Sequence, residues 1–379
     1  MSRTASVACV LVRETLKRLA YGHQFDHVPW AYRVYLRPGE RQLRRIQGWW
    51  RSRRAPTEPL EAYRARTPAG EIEEFIGCVL CQETRQQPLY RPRASDDAWE
   101  YRVVRCAGCG FLYRNPNIRP ERLGDLYARG YSRFLTGSYG EDRQRRYQVV
   151  MDAIAPLLDT GTGRRLLDFG CGTGAFLDLA ERRGFEAYGV DLSPDAVEYA
   201  RSQLVSAKVF VGSPTEVDEV AAGGFDVVTM WSVLAHLPRP VEDLSMLRGL
   251  IAPDGVLVIL TVNAGSLLLA ARGSQWSGFT RNHLMFYSRA TLPRLLTAAG
   301  FAGVGFASFY GQELVSGTGQ LSMKERARLR RRIDATDGGN MLVAVGFATE
   351  AALQRWGDGL ADLRRLPTGT AAEVGTPRA

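Results

Sequence analysis

Apolar residues between positions 164 and 349 fall into short runs that are separated by segments with helical spacing. Val, Ile, Leu and Phe dominate these runs, as they do in buried β-strands. There are seven of them: RRLLDFG, EAYGVDL, KVFVG, FDVVTMW, GVLVILTV, VGFASFY and MLVAVGFAT. Strands that alternate with helices are typical of a mostly parallel sheet with crossover helices. The pattern therefore predicts an α/β domain, to which we assign residues 161–349.

The rest of the chain divides into four segments of different character. Residues 1–70 are Arg-rich with interleaved Trp and Tyr, and their apolar spacing predicts one short amphipathic helix. Residues 71–115 carry four cysteines, and residues 116–160 have a helical pattern. Residues 350–379 are weakly patterned, as in a disordered tail. We interpret these segments as a basic N-terminal extension, a small cysteine module, a helical linker or cap, and a C-terminal tail.

The net charge of +9 is concentrated in the N-terminal extension. Residues 1–70 hold 14 Lys and Arg against 5 Asp and Glu, and the rest of the chain holds 35 residues of each sign. No apolar run approaches the roughly 18 residues of a membrane span. The run ASVACVLV meets Arg13 and Glu14 at once, with no cleavage-like segment after it. We therefore expect a cytoplasmic protein.

A cluster of glycines follows the first strand and opens a helix. Gly170, Gly172 and Gly174 permit a tight turn and a close approach of the backbone to a ligand. Asp191 ends the next strand, 21 residues after Gly170, where a carboxylate can accept hydrogen bonds from both ribose hydroxyls. The same stretch also fits the dinucleotide fingerprint G-x-G-x-x-A. The glycines alone therefore do not distinguish a nicotinamide cofactor from S-adenosylmethionine.

Asp168 separates these two cofactors, because it lies at the end of the strand, two residues before the first glycine. A pyrophosphate on this loop would face a fixed negative charge at short range. S-adenosylmethionine carries an ammonium and a sulfonium, which suit an acid at this position. The carboxylate can also bind loop N–H groups, a structural role that is compatible with the same cofactor.

Four stretches of the chain resemble successive motifs of the class I S-adenosylmethionine-dependent methyltransferases. They are LLDFGCGTGAFL, GVDLSPDAVEYA, FDVVTMWSVLAHLPRP and LRGLIAPDGVLVILTVN. The resemblance is greatest to the branch of ubiquinone-biosynthesis methyltransferases, and it covers about residues 140–349 in the right order and spacing. It implies a Rossmann-like seven-stranded domain that binds S-adenosylmethionine.

The resemblance also implies a set of cofactor-binding residues. They are Asp168, Gly170, Cys171, Gly172, Gly174, Asp191, Leu192, Ser213, Trp231 and Ser232. Asp168 and the glycines would hold the methionine part, and Asp191 the ribose. Ser213 replaces the acid that many relatives direct at the adenine amine. Relatives often read D-V-L-E-H after the fourth strand, where this chain has Ser232 and Ala235, so a metal-assisted mechanism at that edge is disfavoured.

Four of the six cysteines form two C-x-x-C pairs, Cys78 with Cys81 and Cys106 with Cys109. This spacing lets two thiolates reach one tetrahedral ion from a tight turn, and the 24 residues between the pairs allow a hairpin. We predict a closed, structural Zn²⁺ site, with two disulfides or incidental thiols as the alternative. The following segment, GFLYRNPNIRPERLGDLYARGY, resembles a linker in bacterial methyltransferases with such a zinc ribbon, many of which act on sugars or secondary metabolites.

Two of the four histidines are candidates for a catalytic base. His236 follows the fourth strand, and His283 lies in the polar, aromatic segment SQWSGFTRNHLMFYS. We favour His283; the alternative for either histidine is a structural residue satisfied by backbone hydrogen bonds. Trp276 and Tyr287, with Tyr127 and Tyr131, are candidate pocket walls or ordinary core residues.

These features favour a methyltransferase that acts on a small molecule or glycan precursor. An RNA-modifying methyltransferase is one alternative, because the basic extension could contact phosphates and bases. The same extension could equally bind anionic lipid or a partner protein. A non-catalytic, cofactor-binding partner of another enzyme is a second alternative, since the acids after the fourth strand are missing. We expect no membrane span and consider nucleic acid the less favoured partner.

Overall fold

The structure is a computed structural model that describes residues 57–92, 101–124, 147–148, 164–309 and 338–356. The amphipathic helix predicted in the N-terminal extension and most of the helical linker lie outside these residues. Within them, no helix is both long and apolar enough to cross a membrane.

The first part of the described chain forms short strands and one helix. In order they are β1 (Glu58–Pro59), α1 (Leu60–Arg66), β2 (Glu73–Glu74), β3 (Arg85–Tyr90), β4 (Val103–Cys106), β5 (Leu112–Arg114) and β6 (Asn117–Ile118). β1, β3, β4 and β5 form an antiparallel sheet, which we call the ribbon sheet, and β2 pairs with β6. A 3-10 turn at Pro120–Arg122 follows.

The remaining elements build the predicted α/β domain, and all seven predicted strands are present. The elements are β7 (Arg165–Phe169), α2 (Ala175–Arg182), β8 (Glu186–Asp191), α3 (Pro194–Gln203), β9 (Lys208–Val211), α4 (Asp218–Ala221), β10 (Phe225–Trp231), α5 (Pro240–Leu250), β11 (Ile251–Val262), α6 (Leu267–Arg272), β12 (Met285–Phe286), α7 (Leu292–Ala298), β13 (Gly303–Phe309), β14 (Met341–Phe347) and α8 (Glu350–Trp356).

The large sheet has the strand order β13-β14-β11-β10-β7-β8-β9. The five strands from β11 to β9 run parallel, and β14 lies antiparallel to both β11 and β13. The chain builds outward from β7 through β8 to β9, and then returns to add β10 on the other side. In open α/β sheets, ligands bind outside the carboxyl ends of the strands where the order reverses in this way. By this rule, the ligand site is expected in a crevice at the carboxyl ends of β7 and β10.

Helices cover both faces of this sheet, which explains why its strands are apolar along their length. Leu166 and Leu167 of β7 are both buried although they point to opposite faces. Helix α2 begins directly after the glycine cluster and buries Phe176, Leu177 and Ala180 against the sheet. Its apolar face holds the glycine loop in place at the end of β7.

A segment of the large domain joins the ribbon sheet. β12 pairs antiparallel with β5, with Met285 opposite Tyr113 and Phe286 opposite Leu112. The described part of the N-terminal extension also belongs to this layer, because β1 pairs with β3 and Tyr63 of α1 donates to the Asn115 carbonyl at 2.9 Å. The ordered ribbon thus begins before residue 71, where the change in composition had placed its boundary.

The C-terminal segment also differs from the expected tail at its start, because residues 350–356 form α8. Thr349 caps this helix by accepting from the Ala352 N–H at 3.0 Å. Ala352 is completely buried. The Leu353 side chain packs against Gly303, where an added Cβ would lie 2.6 Å from Leu353 Cδ2. Small and apolar side chains on one face suffice to dock this helix of about two turns on the sheet, and so short an element is hard to detect by periodicity.

Helix α2 approaches β8 so closely that a side chain at Gly189 has no room. A Cβ there would lie 2.6 Å from Leu177 Cδ1 and 2.8 Å from Cys171 Sγ. We expect Gly189→Ala to lower the free energy of unfolding by about 1–3 kcal/mol, because overpacking displaces α2 and the glycine loop. Urea denaturation measures this change.

Gly249 in α5 is the matched control, since a Cβ there meets nothing within 4 Å. Gly249→Ala should leave stability unchanged or raise it by up to about 1 kcal/mol, in line with helix propensity. Equal stability of Gly189→Ala and the wild type would show that the contact between α2 and β8 relaxes freely.

Candidate active site

The glycine loop turns tightly at the carboxyl end of β7. Gly170, Gly172 and Gly174 have φ values of 74°, 54° and 77°, in the left-handed region that side chains disfavour. A Cβ on Gly170 would also lie only 2.5 Å from Val233 Cγ2, in the loop after β10. At Gly170 the loop therefore packs its bare backbone against Val233, where a side chain would not fit.

Asp191 ties this loop to the next helix. Its Oδ2 accepts from the Gly172 N–H at 2.8 Å, and its Oδ1 accepts from the Ser193 N–H at 2.9 Å. Burial raises the pKa of Asp191, and these hydrogen bonds partly oppose the rise. The carboxylate is half-buried, so each oxygen keeps a lone pair for a ligand. Leu192 follows with half of its surface exposed.

Asp168 is buried in β7 and is bound by a side chain of the neighbouring strand. Thr229 Oγ1 of β10 donates to Asp168 Oδ1 at 2.7 Å. This hydrogen bond places a partner of Asp168 on β10, whereas the sequence analysis considered loop N–H groups as partners. Burial, with a smaller contribution from Asp191, raises the pKa of Asp168 to about 8. The negative charge that the sequence analysis treats as fixed therefore depends on the surroundings of Asp168, because a positive charge nearby would favour the ionised form.

An aromatic cluster fills the end of β10. The Trp231 ring centroid lies 4.5 Å from that of Phe176 and 4.8 Å from that of Tyr147. Within the described residues, the indole Nε1 of Trp231 is buried without a hydrogen-bond partner. Ser232 follows with a φ of 60°, an unusual backbone conformation for a residue with a side chain, and it is exposed. The next residue, Val233, is the one that meets the glycine loop at Gly170.

The two other residues of the predicted cofactor set have structural contacts. Ser213 begins the 3-10 turn Pro214–Glu216, and its N–H donates to Glu216 Oε2 at 2.9 Å. A carboxylate thus lies next to the position where Ser213 replaces an acid of the relatives. Cys171 packs under the loop against Gly189, and burial raises the pKa of its thiol.

The two candidate bases lie next to each other. His236 forms part of the 3-10 turn after β10, His283 precedes β12, and their ring centroids are 4.9 Å apart. The Nδ1 of His283 lies 2.7 Å from the Gly278 carbonyl oxygen, which requires a proton on Nδ1 and leaves Nε2 as an acceptor. Burial lowers the pKa of both histidines, and His283 lowers that of His236 further. Both imidazoles are therefore neutral near pH 7.

Trp276 and Tyr287 are core residues rather than pocket walls. They are 1% and 0% exposed, because Trp276 packs against Phe279 and Tyr287 packs against Phe111 of the ribbon. Tyr127 and Tyr131 lie outside the described residues. Sequence inspection missed the aromatic partners of Trp231, Phe176 and Tyr147, because single aromatics in helical segments carry no signal of their position.

The four ribbon cysteines converge on one point. Their Sγ atoms all lie within 4.8 Å of one another, and the pairs Cys78–Cys109 and Cys81–Cys106 are 3.5 Å apart. All four are free thiols, so the alternative of two disulfides is not what the structure shows. Tetrahedral zinc with Zn–S bonds of about 2.3 Å needs S–S distances of about 3.8 Å. The donor set therefore fits one closed, four-coordinate zinc ion.

The two C-x-x-C turns have the same backbone path although only the second has a glycine after its last cysteine. Gly110 has a φ of 76°, and Gln82 occupies the equivalent position with a φ of 60°. Each donates its N–H back to the carbonyl of the first cysteine of its turn, Gly110 to Cys106 at 3.1 Å and Gln82 to Cys78 at 2.9 Å. Hydrogen bonds from Cys78 and from backbone N–H groups lower the pKa of Cys106. Gln82 adopts this backbone conformation in a turn that two hydrogen bonds hold, its own N–H to the Cys78 carbonyl and the Cys78 N–H to the Glu83 carbonyl at 2.9 Å.

Comparison with known proteins agrees with this geometry. Residues 139–304 match the family model described as a methyltransferase domain. The ubiquinone biosynthesis O-methyltransferase of Psychrobacter cryohalolentis is 31% identical over 175 residues, which cover 43% of this chain and 68% of the relative. That of Alkalilimnicola ehrlichii is 33% identical over 132 residues, which cover 33% of this chain and 53% of the relative.

Solved methyltransferase structures are also similar. One from Archaeoglobus fulgidus has 21% identity and a TM-score of 0.40, covering 54% of this chain and 93% of that one. Magnesium protoporphyrin IX methyltransferase from Synechocystis has 16% identity and a TM-score of 0.41, covering 60% and 97%. The chain belongs to the S-adenosylmethionine-dependent methyltransferases, in the branch of the ubiquinone-biosynthesis enzymes. It spans between about half and two thirds of the length of the curated relatives named above.

The raised pKa of Asp168 predicts a pH-dependent loss of stability. Its pKa rises from 3.8 to about 8 on folding, so the unfolded chain releases this proton at lower pH than the folded protein does. Stability from this group is therefore full below about pH 4 and falls as the pH rises towards 8. Asp168→Asn should gain stability over the wild type across this range, by a few kcal/mol at pH 8. Urea denaturation at pH 5 and pH 8 measures the difference.

Asp178→Asn is the control, because Asp178 forms a surface ion pair with Arg182 in α2. Its effect should stay below about 1 kcal/mol at both pH values. A difference between Asp168→Asn and the wild type that is the same at pH 5 and pH 8 would contradict the raised pKa.

Proposed function

We propose that the chain transfers a methyl group from S-adenosylmethionine to a small molecule or glycan precursor. The observation that carries this proposal is the glycine loop bound by Asp191 at the sheet's switch point, together with two adjacent neutral histidines after β10 and before β12. When bound, S-adenosylmethionine supplies an electrophilic methyl group for in-line displacement. The protein's own residues must then hold the cofactor, orient the acceptor and receive its proton.

Each predicted cofactor residue has a role that its environment supports. The bare backbone of the glycine loop admits the amino acid part of the cofactor, and Asp168 ionises in response to the positive charge there. Asp191 accepts from the ribose hydroxyls with the lone pairs that Gly172 and Ser193 leave. Exposed Leu192 packs on the adenine face. Glu216, held next to Ser213, accepts from the adenine amine in place of the missing acid.

His283 is the proposed base. Its Nδ1–H is committed to the Gly278 carbonyl, which leaves the Nε2 lone pair as the site that takes the acceptor's proton. His236 lies against its ring and adds no positive charge, because its own pKa is lowered. Ser232 and Ala235 supply no carboxylate at this edge, so we assign no metal ligand here.

Charge placement supports a compact acceptor over RNA. RNA enzymes depend on phosphate contacts for much of their affinity. The excess positive charge of this chain lies in residues 1–70, and the rest holds 35 residues of each sign. The curated relatives are named as O-methyltransferases of ubiquinone biosynthesis, which supports a hydroxyl group as the acceptor.

The proposal further includes one structural zinc per chain, held by Cys78, Cys81, Cys106 and Cys109. Elemental analysis of purified protein should give about one zinc per chain. Cys106→Ser should release it and unfold the ribbon, because metal binding and folding are coupled in such modules. Cys171→Ala, outside the cluster, should retain the metal. Metal-free wild-type protein with four reduced thiols would refute the zinc site.

Methyl transfer tests the function directly. The full-length protein, given labelled S-adenosylmethionine, should label a compound from a panel of hydroxylated aromatics and sugar nucleotides and should leave total RNA unlabelled. Calorimetry should show binding of S-adenosylhomocysteine, weakened at least about tenfold by Asp191→Ala through loss of the ribose contacts. Scintillation counting of separated products measures the transfer.

Two histidine variants provide the control for the base. His283→Ala should lower kcat by about 100-fold or more with cofactor affinity unchanged, whereas His236→Ala should have a smaller effect.

Stoichiometric, salt-sensitive labelling of RNA would instead support the RNA-modifying enzyme. Cofactor binding without transfer to any acceptor class would favour a non-catalytic partner protein.

A further inference from the structure

One arginine of the ribbon lies at the seam with the segment that carries His283. Arg114 is completely buried and forms an ion pair with Glu73 of β2. Its Nη1 donates to the Arg281 carbonyl at 3.2 Å, and its backbone N–H donates to the Leu284 carbonyl at 2.8 Å. A single residue thus binds both ends of the stretch 281–284, which contains His283.

The same stretch is bound from the other side by the loop after β10. The Leu284 N–H donates to the Ala235 carbonyl at 2.7 Å, next to His236. The pairing of β12 with β5 begins at the following residue, Met285. The segment that carries His283 therefore connects the ribbon sheet to the loop after β10. Arg114 binds this segment on the ribbon side.

Stability alone does not account for an arginine at this position. Moving a guanidinium and a carboxylate out of water is costly, and burial lowers the pKa of Arg114 against the opposing effect of Glu73. Replacing such a buried pair by apolar residues of similar volume is often neutral or stabilising. A guanidinium differs from an apolar side chain in its planar fork, which holds acceptors in two fixed directions. Here those acceptors are Glu73 and the Arg281 carbonyl.

We propose that Arg114 is a positioning residue for His283, which it holds through the Arg281 carbonyl at the orientation that commits Nδ1 to Gly278. This inference rests on the proposed function only in the role assigned to His283. The other end of the turn is fixed independently, because a Cβ on Gly278 would lie 2.3 Å from the Trp276 ring. Release of the Arg281 end therefore leaves the imidazole without its hydrogen-bond geometry while the aromatic packing persists.

Histidine side-chain ¹⁵N NMR of the full-length protein tests the proposal. In the wild type, the His283 resonances should show a proton on Nδ1 and a bare Nε2. In Arg114→Met they should show exchange between the two tautomers, because neither nitrogen is then fixed. Hydrogen exchange of the amides of residues 281–284 should accelerate at least about tenfold, because local opening no longer has to break the hydrogen bond from Arg114 to the Arg281 carbonyl.

Arg114→Lys keeps a positive charge for Glu73 but cannot reach both acceptors as a fork does. It should therefore remain folded and still show the mixed tautomers and faster exchange, and it decides the question if Arg114→Met does not fold. Arg165→Met is the matched control, because Arg165 donates to the Gly223 and Glu219 carbonyls at the opposite end of the sheet. It should leave the His283 spectrum unchanged.

Unchanged His283 resonances and unchanged exchange in a folded Arg114 variant would overturn the proposal. So would an equal change in Arg165→Met, which would show a general loss of stability. These readouts need no acceptor and no turnover. A His283→Ala enzyme with full activity would refute the base, but it would leave the positioning of His283 by Arg114 to be judged on the spectra alone.

Discussion

Parallel pairing of β7 with β8 and β10 is the constraint on which the site depends. Parallel strands in register bring their carboxyl ends to one edge of the sheet, so residues far apart in sequence meet there. Asp168 comes to lie beside Thr229, and Asp191 comes within hydrogen-bond distance of the glycine loop. Because Gly189 has no side chain, α2 can pack closely against β8, which holds the glycine loop at the strand ends.

The ribbon adds a second constraint that is independent of the first. Four cysteines fix two tight turns, and the strands between them extend as far as β5, which pairs with β12. The proposed base therefore lies between the ribbon sheet and the large sheet, and its surroundings depend on both. The cysteine module is thus connected through β5 and β12 to the segment that carries the proposed base.

Burial sets the charge state of the site. Asp168 retains a proton to about pH 8, and both histidines are neutral near pH 7. A cationic ligand that binds near Asp168 would lower the pKa of this carboxyl and favour its ionised form. The same burial would favour a neutral imidazole that accepts a proton only from the acceptor.

The seven strands of the α/β domain, the glycine loop with Asp191 and the two C-x-x-C pairs can be predicted from the sequence, because each depends on local spacing along the chain. In contrast, three features follow only from the folded structure: His236 and His283 lie in contact, Trp276 and Tyr287 are buried core residues, and β12 joins the ribbon sheet. These facts depend on long-range packing between segments whose own patterns are short and ambiguous. Arg114 shows the difference most clearly, since in the sequence it is one arginine among many, and its burial against Glu73 and Arg281 exists only once two layers have met.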